Sequence, residues 1–306
     1  MNWSSVPTLA SILLLTLMGA QTEAAPKPTG RLRVAACQLL NGPDLSRNED
    51  KILQWIERAA GQGVDVVSFP EACLPGYVQD KGYYAGLDRS ALRHAEEAII
   101  RASKRLDIAV VVGSVHWQEG TLYNSLLVID KGGVVRGRYA KMYLAEAWPS
   151  PGKSLPIFSL AGVKSCFIIC HDVRYPALVR LPAAAGARIC YFCSHESGLT
   201  KEHKLSAYRA MPIARATENS IFLVMANAPA SPVNLAGSHG NSKIVRPDGR
   251  VLLEAGYFQE RLVMADLNLE EASGHIARKA VEHNRLLKPW FQQGLKLVTP
   301  GDPNRP

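Results

Sequence analysis

Between Ser165 and Cys193 the chain reads SCFIICHDVRYPALVRLPAAAGARICYFC. Two apolar, β-branched or aromatic runs, Ser165 to Cys170 and Arg188 to Cys193, flank a helical stretch from Ala177 to Ala185. The runs read as buried strands, and strands alternating with helices are the texture of a layered α/β domain. The same texture extends in both directions. Upstream, Leu32 to Gln38, Val64 to Phe69 and Ile108 to Val115 read as strands. Ser46 with Glu49 reads as a capping box that opens a helix carrying Ile52, Leu53, Ile56, Ala59 and Ala60 on one face. Asp88 caps a second helix running through Lys104. Tyr123 to Asp130 and Val134 to Ala140 form an antiparallel hairpin around Lys131-Gly132-Gly133, and their mixed polar and apolar residues place both strands at the periphery. Downstream come a long helix from Glu202 to Asn219 and a strand from Ile221 to Ala226. A hairpin turns at Pro247-Asp248-Gly249 between Lys243 to Arg246 and Val251 to Glu254, and Leu262 to Leu267 closes the sheet.

No linker or internal repeat interrupts residues 31–267, so one domain with a C-terminal extension, 268–306, is the economical organisation. Pro289, Trp290 and Phe291 suggest that the extension packs on the domain, while Pro300 to Pro306 reads as loose. With 306 residues, 47% of them hydrophobic and 20% charged, the chain can build a large core, which excludes disordered, collagen-like and coiled-coil classes. The net charge of +8 comes from scattered residues without a basic run, which argues against nucleic acid as a partner.

Leu9 to Ala20 is apolar but, at 12 residues, too short to span a bilayer. Small residues before Ala25 make residues 1–24 a signal peptide cleaved after Ala24, although its first residues lack Lys or Arg. The mature protein is then secreted or periplasmic. All six cysteines, at positions 37, 73, 166, 170, 190 and 193, lie beyond that segment. Cys190 and Cys193, three apart in a strand, point to opposite faces. Buried free thiols are the reading for every cysteine except Cys170. No His, Cys or acidic spacing suits a metal.

Three polar residues end apolar runs: Glu71 after Val66 to Pro70, Lys141 after Tyr139-Ala140, and Cys170 after Phe167 to Ile169. Each is weak alone. Together they supply a thiol, a carboxylate to take its proton and an ammonium to stabilise a thiolate and then an oxyanion.

At these positions the sequence resembles the nitrilase superfamily of carbon–nitrogen hydrolases, from Val34 to about Asp266. The likeness rests on FPEACLPGY (69–77), RYAKMYL (138–144), ICHDVRYP (169–176), Gly186-Ala187, RATEN (215–219), Asn227 and Pro247-Asp248-Gly249. It implies a four-layer-forming αββα sandwich in a single domain, a homodimer or higher homo-oligomer, a Glu-Lys-Cys triad and no cofactor. Glu71 is then the general base, Lys141 the oxyanion stabiliser and Cys170 the nucleophile. Glu146 matches a frequent second glutamate, and the His171 backbone N–H is a second oxyanion donor. Substrate is expected against Tyr77, His171, Arg174 and His195. For Arg174 an internal salt bridge is the favoured alternative to binding a substrate carboxylate. His171-Asp172 stands where nitrile-cleaving members have Trp-Glu, which shifts the expectation to a small amide or N-carbamoyl compound. Acyl transfer, nitrile hydrolysis and a silent binding protein are the competing readings; the lipoprotein-maturing acyltransferases carry several membrane helices that this sequence lacks.

Overall fold

In the first half of the chain, alternate residues of each strand belong to two different apolar cores. Val34 and Ala36, Val66, Ala109 and Val111, Leu126 and Val128 lie in one; Ala35 and Cys37, Val67, Val110 and Val112, Leu127 and Ile129 lie in the other. A strand that is apolar on both faces must be covered on both faces. The computed structural model, which describes residues 30–196, 198–200, 202–233 and 237–301, shows what covers them.

In chain order the elements are β1 (Arg31–Gln38), α1 (Leu45–Gly61), β2 (Val66–Ser68), α2 (Lys81–Ala85), α3 (Arg89–Leu106), β3 (Ala109–Gln118), β4 (Thr121–Asp130) and β5 (Val134–Ala140). There follow β6 (Leu155–Leu160), β7 (Val163–Ile169), α4 (Ala177–Ala184), β8 (Ile189–Ser194), α5 (Glu202–Thr217), β9 (Phe222–Asn227), β10 (Lys243–Val245) and β11 (Val251–Glu254). The chain ends with β12 (Arg261–Asn268), α6 (His275–Glu282), α7 (Lys288–Leu295) and β13 (Val298–Pro300). A six-stranded sheet, β12-β1-β2-β3-β4-β5, packs α1 and α3 on one face. Its other face meets a seven-stranded sheet, β11-β10-β9-β8-β7-β6-β13, which carries α4 and α5. The fold is therefore an αββα sandwich. In each sheet the middle strands are parallel, β1-β2-β3 and β7-β8-β9, so their carboxyl ends point the same way.

Several local expectations change. The cap of α1 is Asp44, whose side chain accepts from the Arg47 N–H, and Ser46 lies inside the helix. The Asp88 cap of α3 is as expected. β4 is not peripheral: it pairs with both β3 and β5 and is buried from Tyr123 to Asp130, leaving β5 as the edge. The β3–β4 hairpin turns at Glu119-Gly120, both in left-handed backbone. Leu262 to Leu267 falls within β12, an edge of the first sheet beside β1. In the extension, Phe291 packs on the core, but Trp290 is 58% exposed. Pro300 is not loose, because β13 pairs in parallel with β6 and sets Pro300 opposite Ile157. Residues 302–306 and the segment read as a signal peptide, 1–24, lie outside the described residues. All six cysteines are unpaired and buried; Cys166 and Cys190 are register partners on β7 and β8. No helix among the described residues is long and apolar enough to cross a membrane.

Candidate active site

The two sheets bring their strand ends together, and each end is shaped by a local device. β2 stops at Ser68 because Pro70 has no N–H to continue a ladder. The chain then turns through Glu71 and Ala72, the latter at φ 45°. This turn lies so close to β3 that a Cβ on Gly113 would overlap the Pro70 carbonyl oxygen and the Ala72 nitrogen. Gly113 thus lets the Glu71 turn rest on β3. Lys141 follows β5 directly, its N–H donating to the Asn124 carbonyl at 2.9 Å, and its side chain runs inward with 0% exposure. Cys170 ends β7 in left-handed backbone, φ 44°, a strained conformation for a residue with a Cβ.

Lys141 Nζ donates to Glu71 Oε1 and to Glu146 Oε1, both at 2.6 Å. Glu71 Oε1 also accepts from Asn124 Nδ2 at 2.8 Å, and Oε2 accepts from the His195 N–H at 3.0 Å. Tyr77 O–H donates to Glu146 Oε1 at 2.9 Å and accepts from Gln79 Nε2 at the same distance. The His195 ring stacks on Tyr77 with centroids 4.3 Å apart, and its carbonyl faces Cys170 Sγ at 3.9 Å. Asp172 ties the two sheets' contributions: it accepts from the Ile169 N–H at 3.0 Å, the Tyr143 N–H at 2.8 Å, the Met142 N–H at 3.2 Å and Tyr139 O–H at 2.8 Å. The nucleophile turn and the Lys141 segment therefore share one anchor.

The electrostatics follow from burial. Burial raises Glu71, and the neighbouring Glu146 charge adds to it against the pull of Lys141, leaving the carboxyl near 7. Two carboxylates on one ammonium cannot both ionise freely; Glu146, held by Lys141 and Tyr77 against its burial, stays low. Burial by itself lowers Lys141, but Glu71, Cys170 and Glu146 outweigh it and keep the ammonium charged. Burial and the Glu71 charge push the Cys170 thiol well up, with Lys141 opposing. Burial lowers His195 to about 4, so its ring is neutral near pH 7. Burial also raises Asp172, to about 6.

Of the residues read from sequence, Glu71, Lys141, Glu146, Cys170, Tyr77 and His195 converge. The Tyr77 hydroxyl is occupied by Glu146 and Gln79. His171 is half-buried, its ring edge-on to Tyr175 at 5.7 Å. Arg174 has no carboxylate partner among the described residues and is exposed, its guanidinium 5.2 Å over the Tyr208 ring, so the internal salt bridge is not formed. Sequence reasoning missed Asn124 and the anchoring role of Asp172, and it gave Glu196 no role of its own beyond lying in a stretch at a strand end. The available signal for Asn124 and Glu196 was a polar residue in or just beyond an apolar strand run. No group of His, Cys, Asp and Glu suited to a metal occurs among the described residues.

Comparison with known proteins adds an independent line. Residues 33–275 match the family model described as Carbon-nitrogen hydrolase. The chain is 32% identical to 2-oxoglutaramate amidase of Bacillus subtilis (strain 168), over 74% of this chain and 87% of that protein. It is 29% identical to the (R)-stereoselective amidase of Pseudomonas sp, over 74% and 81% respectively. Among solved structures it is similar to a mutant of the amidase from Nesterenkonia sp. AN1 showing covalent addition of the acetamide moiety of fluoroacetamide at the active-site cysteine. That likeness has a TM-score of 0.73 at 25% identity and covers 86% of this chain and 98% of the other.

Proposed function

The chain belongs to the carbon-nitrogen hydrolase family, and from that premise we propose that it hydrolyses small carboxamides through a thioester on Cys170. The observation that carries this reading is Lys141 held at 2.6 Å by both Glu71 and Glu146, all three buried, at strand ends that meet the end of β7. The Cys170 thiol is raised, so it attacks with proton transfer rather than as a standing thiolate. Glu71, near 7, takes that proton and returns it to the departing nitrogen, releasing ammonia. Lys141, fixed as an ammonium, stabilises the oxyanion, and Glu146 holds Lys141 in place. Water deprotonated by Glu71 then attacks the thioester and frees Cys170. His171-Asp172 in place of Trp-Glu, and the amidase names of the relatives, favour amides over nitriles.

The test is ammonia release from a panel of amides, N-carbamoyl amino acids and nitriles, with mass spectrometry of the peptide containing Cys170 during turnover. Amide hydrolysis with an acyl mass on that peptide is expected; preference for nitriles, or an acyl group on another residue, overturns the reading. Export is proposed on the apolar run Leu9 to Ala20 and the small residues before Ala25. N-terminal sequencing of the exported protein should begin at Ala25.

A further inference from the structure

Beyond β8 stands a buried group that the proposed chemistry leaves unused. The register sets Ile169 beside Cys193, so Ser194 is level with Cys170 and Glu196 lies two residues further on, above the ends of the parallel strands where such sheets bind ligands. The preceding residue, His195, touches both Glu71 and Cys170 through its peptide, which fixes Glu196 beside the reacting centre. Glu196 is 1% exposed, yet neither carboxyl oxygen has a hydrogen-bond partner among the described residues. Its ion contact there is a long one, His239 Nε2 at 3.5 Å. His239 is itself buried, its ring 6.0 Å from that of Tyr208, the same ring that carries Arg174.

A buried carboxyl without donors is costly, and native structures rarely keep one without a use. At 3.5 Å the His239 contact is too long to serve the carboxylate as a hydrogen bond. Burial, then the Glu71 charge, raises Glu196 well above the usual carboxylate range; the charges of Lys243, Arg174 and Lys141 oppose this, but among the described residues none of these cations contacts its oxygens. An ammonium would supply both the donors and the charge.

We propose that Glu196 is the specificity-determining residue of this site and receives a protonated amine on the acyl side of the substrate, so that amino-carboxamides are preferred. The proposal rests on amide hydrolysis at Cys170. Matched pairs test it: glycinamide against propionamide and β-alaninamide against butyramide at pH 7, with malonamate and succinamate as acidic counterparts. At least about a tenfold higher kcat/KM for one amino member over its neutral isostere is expected, falling to near one in Glu196→Gln. Equal rates within each pair, a preference for the acidic amides, or an unchanged ratio in Glu196→Gln overturns it. Should that variant not fold, the wild-type ratio alone decides. If the wild-type protein hydrolyses no amide, the hydrolase reading fails, and calorimetric titration with glycinamide and β-alaninamide then decides separately: binding to wild type supports the proposal and no binding overturns it.

Discussion

Glu71 and Glu196 are both buried glutamates whose charges bear on Cys170, and they are opposites in their surroundings. Glu71 receives three hydrogen bonds, from Lys141, Asn124 and the His195 peptide. Among the described residues Glu196 receives none on its side chain, which has the long ion contact with His239, while its peptide donates to Asn227 Oδ1 at 3.2 Å. A saturated network is complete before substrate arrives and keeps its geometry through the reaction, as a base requires. An unsaturated carboxyl is completed by what binds. Reaction and selection are thus assigned to two copies of the same side chain, distinguished only by their neighbours.

The sharpest way to break this contrast is at the nucleophile. Cys170→Ala should reduce turnover at least about 10³-fold while the protein still folds, because no other thiol occupies that strand end. If Cys166→Ala had that effect and Cys170→Ala did not, the saturated side would be serving some other residue. Next is the cation: Lys141→Ala should cost at least about 10²-fold, and Lys141→Arg should not restore it, since a guanidinium does not fit where an ammonium bridges two carboxylates. Rescue by arginine would mean that charge alone matters there.

Glu71→Gln should also cost about 10²-fold, and it carries a pH signature. The base works ionised, so wild-type kcat/KM should rise with pH through about 7. Stability moves the other way. The folded state keeps the Glu71 proton up to about 7, whereas an unfolded glutamate loses it near 4.5, so this group's contribution falls as pH rises between those values. The melting temperature of Glu71→Gln relative to wild type should therefore improve from pH 5 to pH 8, other groups cancelling in the difference. A constant difference would show that Glu71 is ionised throughout. The smallest effect is at the periphery of the network: Tyr77→Phe removes one donor to Glu146 and should lower kcat by about tenfold, the lower end of the worth of one hydrogen bond to a charged group. A loss as large as that of Lys141→Ala would move Tyr77 into the reaction itself.

What the sequence disclosed follows from how local each signal is. Asp88 caps α3 through bonds to residues two and three positions on, a relation written in the sequence. Ser46 offered an equally good local pattern, and Asp44 displaced it because only the folded chain shows where α1 begins. Glu71, Lys141 and Cys170 were legible because each ends an apolar run, although they lie up to 99 positions apart in the chain. Glu196 stood in the same kind of place, yet its partners, or their lack, depend on β9 and His239, which arrive from elsewhere. Asn124 sits inside a strand that reads as mixed and peripheral, and its burial against Glu71 appears only when β4 takes its position between β3 and β5. The edge contact of β13 with β6 was invisible for the same reason: parallel pairing between distant segments leaves no local pattern.

The base and the ammonium come from one sheet, and the thiol comes from the other. While the two sheets are still apart, Cys170 is an ordinary thiol with no neighbour to take its proton. The site is therefore complete only where the two layers are docked. A nascent chain carrying six thiols is then spared premature acylation at the one meant to react. On refolding, hydrolytic activity should return together with the near-ultraviolet signal of packed aromatic rings.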